Sequence, residues 1–382
     1  MKIALVGCGF VADYYLATLP NHPELELLGI TDRVPERTQL LADYHGVPKF
    51  NSLDDVLNDD RVELVVNLTN PRNHYEVTRS CLEAGKHVYS EKPIATNFEH
   101  AVELVALAER NDLYLTSAPC NVLSESAQTM WKALRDGRIG TPRLAYAEMD
   151  DGLIHRMRYR QWKSDAGIPW PWKDEFEVGC TLEHAGYYVT WLTAFFGPAR
   201  SVTSFASVLV PDKETDEPLN AITADFSAAC IEFDGVVARL TNSIYAPHNH
   251  RLQVFGDEGS VSVDECWNYA SPVYLKTRSP LALRLEKWPL LANLPGLGRR
   301  RLPLLRGAAR KHKYSGTHNM DFARGVAAMA QAAAERRPAV MSARYALHVN
   351  EIVLAMQYPA EMGSPRRLTT TFEPMEPMPW AR

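Results

Sequence analysis

A lysine set between an acid and a proline, Glu91-Lys92-Pro93, follows the apolar run His87-Val88-Tyr89, which reads as a strand. An ammonium at the C-terminal end of a strand stands on the edge where parallel α/β sheets collect their ligands. There it can donate to a substrate oxygen or share a proton with a neighbouring acid or phenol. A second signature lies near the N-terminus, where Gly7-Cys8-Gly9-Phe10-Val11-Ala12 has the form G-x-G-x-x-A. Gly7 allows a tight turn, Gly9 lets the backbone approach a pyrophosphate, small Ala12 lets the following helix pack closely on the strand, and Phe10 and Val11 between them count among the expected cofactor contacts. Asp32 follows about 20 residues later, the place from which a carboxylate holds the ribose hydroxyls of NAD. Arg33 beside it could stack on adenine or meet a 2′-phosphate, so NAD is the expected cofactor and NADP the alternative. A dinucleotide site and a strand-end lysine together point to hydride transfer, the chemistry of an oxidoreductase.

Those residues need a parallel sheet to carry them, and the first 120 residues supply its rhythm. Apolar strand-like runs at 2–6, 25–31, 64–69, 87–89 and 113–116 alternate with helical stretches at 13–19, 35–45, 74–84 and 98–110. This is the pattern of a doubly wound α/β sheet. Beyond Cys120 the rhythm changes. A helix over 125–136 and an irregular Trp- and Arg-rich stretch over 150–176 precede a helix over 180–196. Strand-like runs then follow at 201–210, 221–233, 236–245, 251–256, 260–263 and 273–277, with a hairpin turn at Asp234-Gly235. Two helices, 320–336 and 343–356, end the pattern. The expected fold is an N-terminal Rossmann domain, residues 1–121, followed by an α+β domain, 122–382, built on a large, mainly antiparallel open sheet.

Composition limits the classes of function. The chain has 382 residues and a net charge of −5, with no global basic excess of the kind that binds nucleic acid. No run approaches the roughly 18 apolar residues of a membrane span, and Met1-Lys2 leads directly into a strand, so a cytoplasmic enzyme is expected. The six cysteines are scattered without C-x-x-C spacing, which suits a reducing compartment.

The fingerprint, Asn70-Pro71 at a strand end, Glu91-Lys92-Pro93 and the late open sheet resemble the glucose-fructose oxidoreductase / inositol dehydrogenase family, Gfo/Idh/MocA, over nearly the whole chain. The resemblance implies that Lys92 contacts the hydroxyl being oxidised and that the segment from Asn70 to His74 borders the nicotinamide. Glu91 would orient Lys92 or cap the next helix. The family also carries D-x-G-x-H on a helix of its second domain. Here the matching stretch is Gly179-Cys180-Thr181-Leu182-Glu183-His184-Ala185-Gly186-Tyr187-Tyr188. Aligned on Gly186, His184 stands for the aspartate and Tyr188 for the catalytic histidine. Four residues apart, both would share one helical face. Tyr188 is therefore the expected base, its phenol acidified by Lys92, with His184 as relay or alternative base. The family's open sheet also implies a homo-oligomer, a dimer or tetramer.

Arg156, Arg158, Tyr159 and Trp162 are candidate substrate contacts, in a stretch that also carries His155, Arg160, Lys163, Trp170, Trp172 and Lys173, because cations interleaved with aromatics suit a phosphate-linked base. The leading expectation is an NAD-dependent dehydrogenase of a ring hydroxyl, with a UDP-linked amino sugar oxidised at C3 as first candidate substrate. A free sugar or cyclitol, a redox-neutral NAD-dependent glycosidase and an inactive cofactor-binding regulator are the alternatives. His248 and His250 form an H-x-H pair without an obvious third ligand, so no metal is assigned. Residues 284–313 hold nine Lys or Arg and one Glu. That run reads as an oligomer-contact loop, or as a surface for anionic lipid.

Overall fold

The computed structural model describes residues 1–278, 284, 288, 298–307 and 319–382. Most of the basic 284–313 run thus lies outside the described residues.

Five strands, β1 (Lys2–Val6), β2 (Glu26–Thr31), β3 (Leu64–Asn67), β4 (His87–Ser90) and β5 (Leu115–Ser117), form an all-parallel sheet in the order β2-β1-β3-β4-β5. Helices α1 (Phe10–Thr18), α2 (Pro35–His45), α3 (Leu53–Asn58), α4 (His74–Glu83) and α5 (Phe98–Arg110) connect them. The strands read as unbroken apolar runs because helices cover both faces, leaving Ile3, Ala4, Leu64, Val65 and Val88 fully buried. Asn97 begins α5 by accepting the His100 N–H at 3.0 Å, a cap worth about 1 kcal/mol.

The second sheet has nine strands. Helix α6 (Glu125–Arg135) leads to β6 (Pro142–Asp150), which the strand signals above do not include. Helices α7 (Trp172–Val178) and α8 (Gly186–Phe196) follow, then β7 (Ser201–Ser207), β8 (Phe226–Glu232), β9 (Val237–Ser243), β10 (Leu252–Gly256), β11 (Gly259–Val263), β12 (Val273–Thr277) and the short β13 (Arg300–Arg301) and β14 (Arg366–Arg367). The order is β13-β12-β11-β10-β6-β9-β8-β7-β14. Every pairing is antiparallel except that of β6 with β9. β6 carries a weak strand signal because its inward positions include Ala145 and Ala147, small residues with little strand preference.

Two late helices join the sheets. α9 (Ala323–Ala334) lies so close to β4 that a Cβ on Gly325 would come 2.4 Å from the Tyr89 hydroxyl. α10 (Ala343–Gln357), capped by Ser342, packs on α5 and β5 on one side and on α8 and β7 on the other. The C-terminal ends of β1, β3 and β4 therefore open toward the start of α8. All six cysteines are free thiols.

Candidate active site

β1 ends in a turn that only glycine can make. Gly7 has φ +101°, its N–H donates to the Thr31 carbonyl at 2.8 Å, and a Cβ there would lie 2.5 Å from the Leu68 carbonyl. Gly9 caps α1 with no side chain, and a Cβ added to it would meet nothing within 4 Å. Ala12 is buried where α1 meets the sheet. The Asp32 carboxylate accepts the Cys8 N–H at 2.7 Å and the Val34 N–H at 2.8 Å, tying the two turns together. A cleft of about 520 Å³ runs past Gly7, Gly9, Asp32, Arg33, Arg37 and Asn70. An open helix N-terminus, a bare glycine and a strand-end carboxylate fit a dinucleotide.

A second cleft of about 460 Å³ adjoins it, sharing Gly9, Arg37 and Asn70. Phe10, Val11, His74, Glu91 and Lys92 form one wall. Trp170, Trp172, Glu175, Glu183, His184, Tyr187 and Trp267 belong to the other. Glu91 accepts from the Tyr15 hydroxyl at 2.7 Å and from the Lys92 N–H at 3.0 Å, so it fixes the strand end. His74 is pinned between the Pro93 and Thr69 carbonyls, at 2.7 and 2.8 Å, and burial lowers its pKa. Asn70 donates to Asp174 at 2.6 Å, joining the two walls.

The Lys92 ammonium donates to the Glu183 carboxylate. Burial alone would favour the neutral amine, but Glu183 and Glu91 outweigh it and hold the lysine above its ordinary pKa. His184 lies between two acids, with Nδ1 2.9 Å from Asp151 and Nε2 3.5 Å from Glu175. Burial lowers its pKa, and the two carboxylates more than restore it. Glu175 is pushed up to about 7, chiefly by burial.

The expected partnership of Tyr188 with Lys92 does not form. Residues Thr181–Ala185 make a π-helical turn before α8, and the extra residue in that turn rotates the register. Glu183 and Tyr187, also four apart, line the cleft instead. Tyr188 is fully buried against Trp191, and its hydroxyl donates to the His250 carbonyl. Burial raises its pKa well above the ordinary value, the opposite of the expected shift.

The expected substrate contacts also lie elsewhere. Arg156 pairs with Glu214 at 2.7 Å, and Arg158 is exposed. Tyr159 is fully buried beneath Trp170 and Trp172, and Trp162 packs on Trp170. None of the four lines either cleft; Trp170, Trp172 and Lys173 from the end of that stretch do. Their signal was present in the sequence: a proline followed by Asp174 and Glu175 in the first turn marks the start of α7.

The two clefts and the two sheets define a dinucleotide-binding domain joined to a second, open-sheet domain. Residues 1–118 match the oxidoreductase family with an NAD-binding Rossmann fold, and residues 127–262 match the Gfo/Idh/MocA C-terminal domain. The chain belongs to the Gfo/Idh/MocA family. A Schizosaccharomyces pombe protein, named an uncharacterized oxidoreductase, is 30% identical over 210 residues. The match covers 53% of this chain and 54% of that protein, about half the length of each. An aldose-aldose oxidoreductase from Caulobacter crescentus shares the fold with a TM-score of 0.74 at 16% identity, over 96% of this chain and 99% of that one. A Bordetella pertussis dehydrogenase, solved with NADH and UDP-GlcNAcA, gives 0.70 at 19% identity, over 96% and 97%.

Proposed function

We propose that the protein is a dehydrogenase of a secondary ring hydroxyl on an uncharged sugar or sugar derivative. The observation that carries this reading is the Lys92–Glu183 pair, set in a cleft that opens onto the dinucleotide cleft. Lys92 donates a hydrogen bond to the reacting oxygen and stabilises the charge that develops there. Glu183 accepts the hydroxyl proton, with His184 as the second acceptor on the same wall. Gly9, Asp32 and Asn70 hold the dinucleotide. When bound, its nicotinamide supplies the hydride acceptor.

Charge supports an uncharged substrate. Glu91, Asp174, Glu183 and Glu217 face Lys92, Lys173 and Arg37 around the cleft, which leaves no cationic excess to receive a diphosphate. Trp170, Trp172 and Trp267 give it apolar faces on which sugar C–H groups can stack. A nucleotide sugar is the second reading, favoured by the fold shared with the Bordetella enzyme. NADH formation measured against free sugars, inositols and nucleotide sugars tests both. Turnover of nucleotide sugars alone would overturn the first reading, and release of an aglycone without net NADH would mark a redox-neutral glycosidase.

A further inference from the structure

The H-x-H pair finds its missing partners in space. His248 and His250 lie between β9 and β10, Glu265 follows β11, and Asp151 follows β6. One carboxylate grips both rings, with His250 Nδ1 3.0 Å from Glu265 Oε1 and His248 Nε2 3.1 Å from Glu265 Oε2. The opposite ring nitrogens are thereby aimed at a single atom. His250 Nε2 lies 3.0 Å, and His248 Nδ1 3.7 Å, from Asp151 Oδ1. The three ligating atoms of Asp151, His248 and His250 all lie within 4.8 Å of one another.

This is the spacing of a metal shell. Bonds of about 2.0–2.1 Å at tetrahedral angles put neighbouring ligand atoms roughly 3.4 Å apart, between the two distances seen. The arrangement behind the shell fits as well, because metal-bound imidazoles almost always give their other N–H to a carboxylate or carbonyl. Glu265 fills that role for both rings. His250 is held further by Trp267, whose ring centroid is 4.3 Å away, and by Tyr188 on its carbonyl.

We infer that Asp151, His248 and His250 bind one divalent transition-metal ion of the zinc type, oriented by Glu265. Two imidazoles and one carboxylate suit zinc and its first-row neighbours rather than calcium or magnesium, which prefer oxygen ligands. His248 is 55% exposed and gives the ion its way in, while a water can complete the shell. The other oxygen of Asp151 faces His184, so the ion lies one carboxylate away from the substrate cleft. The site is independent of which sugar, if any, the cleft takes.

The test uses the full-length, tag-free protein stripped with EDTA and titrated with Co²⁺, then with Zn²⁺ in competition. One equivalent should bind, with visible bands of a low-symmetry cobalt site, and Zn²⁺ should displace it. Asp151→Asn and His248→Ala should each abolish the bands. Glu265→Gln should weaken binding by roughly 10- to 100-fold. Zn²⁺ should raise the Tm of the parent but not of His248→Ala, which keeps the metal-free Tm because that side chain is half exposed. If His248→Ala lowers the metal-free Tm, His248→Gln takes its place in the comparison. Absence of stoichiometric binding by the parent, or binding unchanged in the variants, would overturn the site and leave a cluster of ion-paired histidines.

Discussion

Lys92, at the end of β4, and Glu183, in the π-turn before α8, form an ion pair between side chains that are 17% and 13% exposed. It joins the nucleotide-binding domain to the domain built on the nine-stranded sheet. Removing one member of so buried a pair leaves the other charge uncompensated. The two walls of the cleft are therefore tied together at this contact.

Lys92→Ala is expected to lower kcat by at least roughly 10²-fold while NAD binding, followed by fluorescence, is preserved. Glu183→Gln should lower kcat on the same scale. His184→Ala separates the two proton acceptors. If it is dead while Glu183→Gln turns over normally, the proton goes to His184.

Tyr188→Phe should leave kcat close to that of the parent. It removes a buried hydrogen bond and leaves the His250 carbonyl unpaired, so chemical denaturation should show a loss of about 1–3 kcal/mol. Collapse of activity without loss of stability would restore Tyr188 as the base.

Asp32→Ala should weaken NAD far more than NADP, since a carboxylate that accepts from ribose hydroxyls also repels a 2′-phosphate. Equal losses for both, measured by titration calorimetry, would mean that Asp32 only braces the Cys8 and Val34 turns.

Arg156→Ala should leave KM unchanged for every sugar, because its guanidinium is paired with Glu214 away from the cleft. Trp172→Ala should raise KM by up to about tenfold, the scale of one aromatic contact. A KM that responds to Arg156 and ignores Trp172 would move the substrate to the other end of the stretch.

His348 gives the stability a pH dependence. Its Nε2 accepts the Ala199 N–H at 2.9 Å, and burial depresses its pKa to about 4. The unfolded chain takes up this proton near pH 6.5, the folded chain only near 4. The contribution is thus full above about pH 6.5 and is lost as pH falls toward 4, by up to about 3 kcal/mol. Denaturation curves between pH 4.5 and 7 should show a slope that His348→Gln reduces.

Much of the fold was legible because burial on both faces writes itself as unbroken apolar strands, and because the turn after β1, at φ +101°, demands Gly7 while the Asp32 carboxylate ties that turn to the next. Lys92 was legible for the same reason, being fixed by where β4 ends. The register of the signature helix was not. Motif spacing assumes 3.6 residues per turn, and one extra residue in Thr181–Ala185 exchanges Tyr188 for Tyr187 and brings Glu183 into view. Ion pairing hid the irregular stretch in a similar way. Arg156 and Arg160 look like phosphate ligands until Glu214 and Asp216, more than 50 residues later, neutralise them.

β6 lies in the middle of the nine-stranded sheet, and its two neighbours are β9 and β10. As the chain leaves the ribosome, this strand has no partner until Val237 and Leu252 have been made. The nucleotide-binding sheet can be finished first, since β5 ends at Ser117. In the larger sheet β7, β8 and β9 can pair with one another as they emerge, as can β10, β11 and β12, but the two ribbons can be joined only through β6, which waits until then with both edges bare. Such long-range pairing is slow and exposes the nascent chain to association with others. Extra chaperone should accordingly raise the yield of folded chain in a cell.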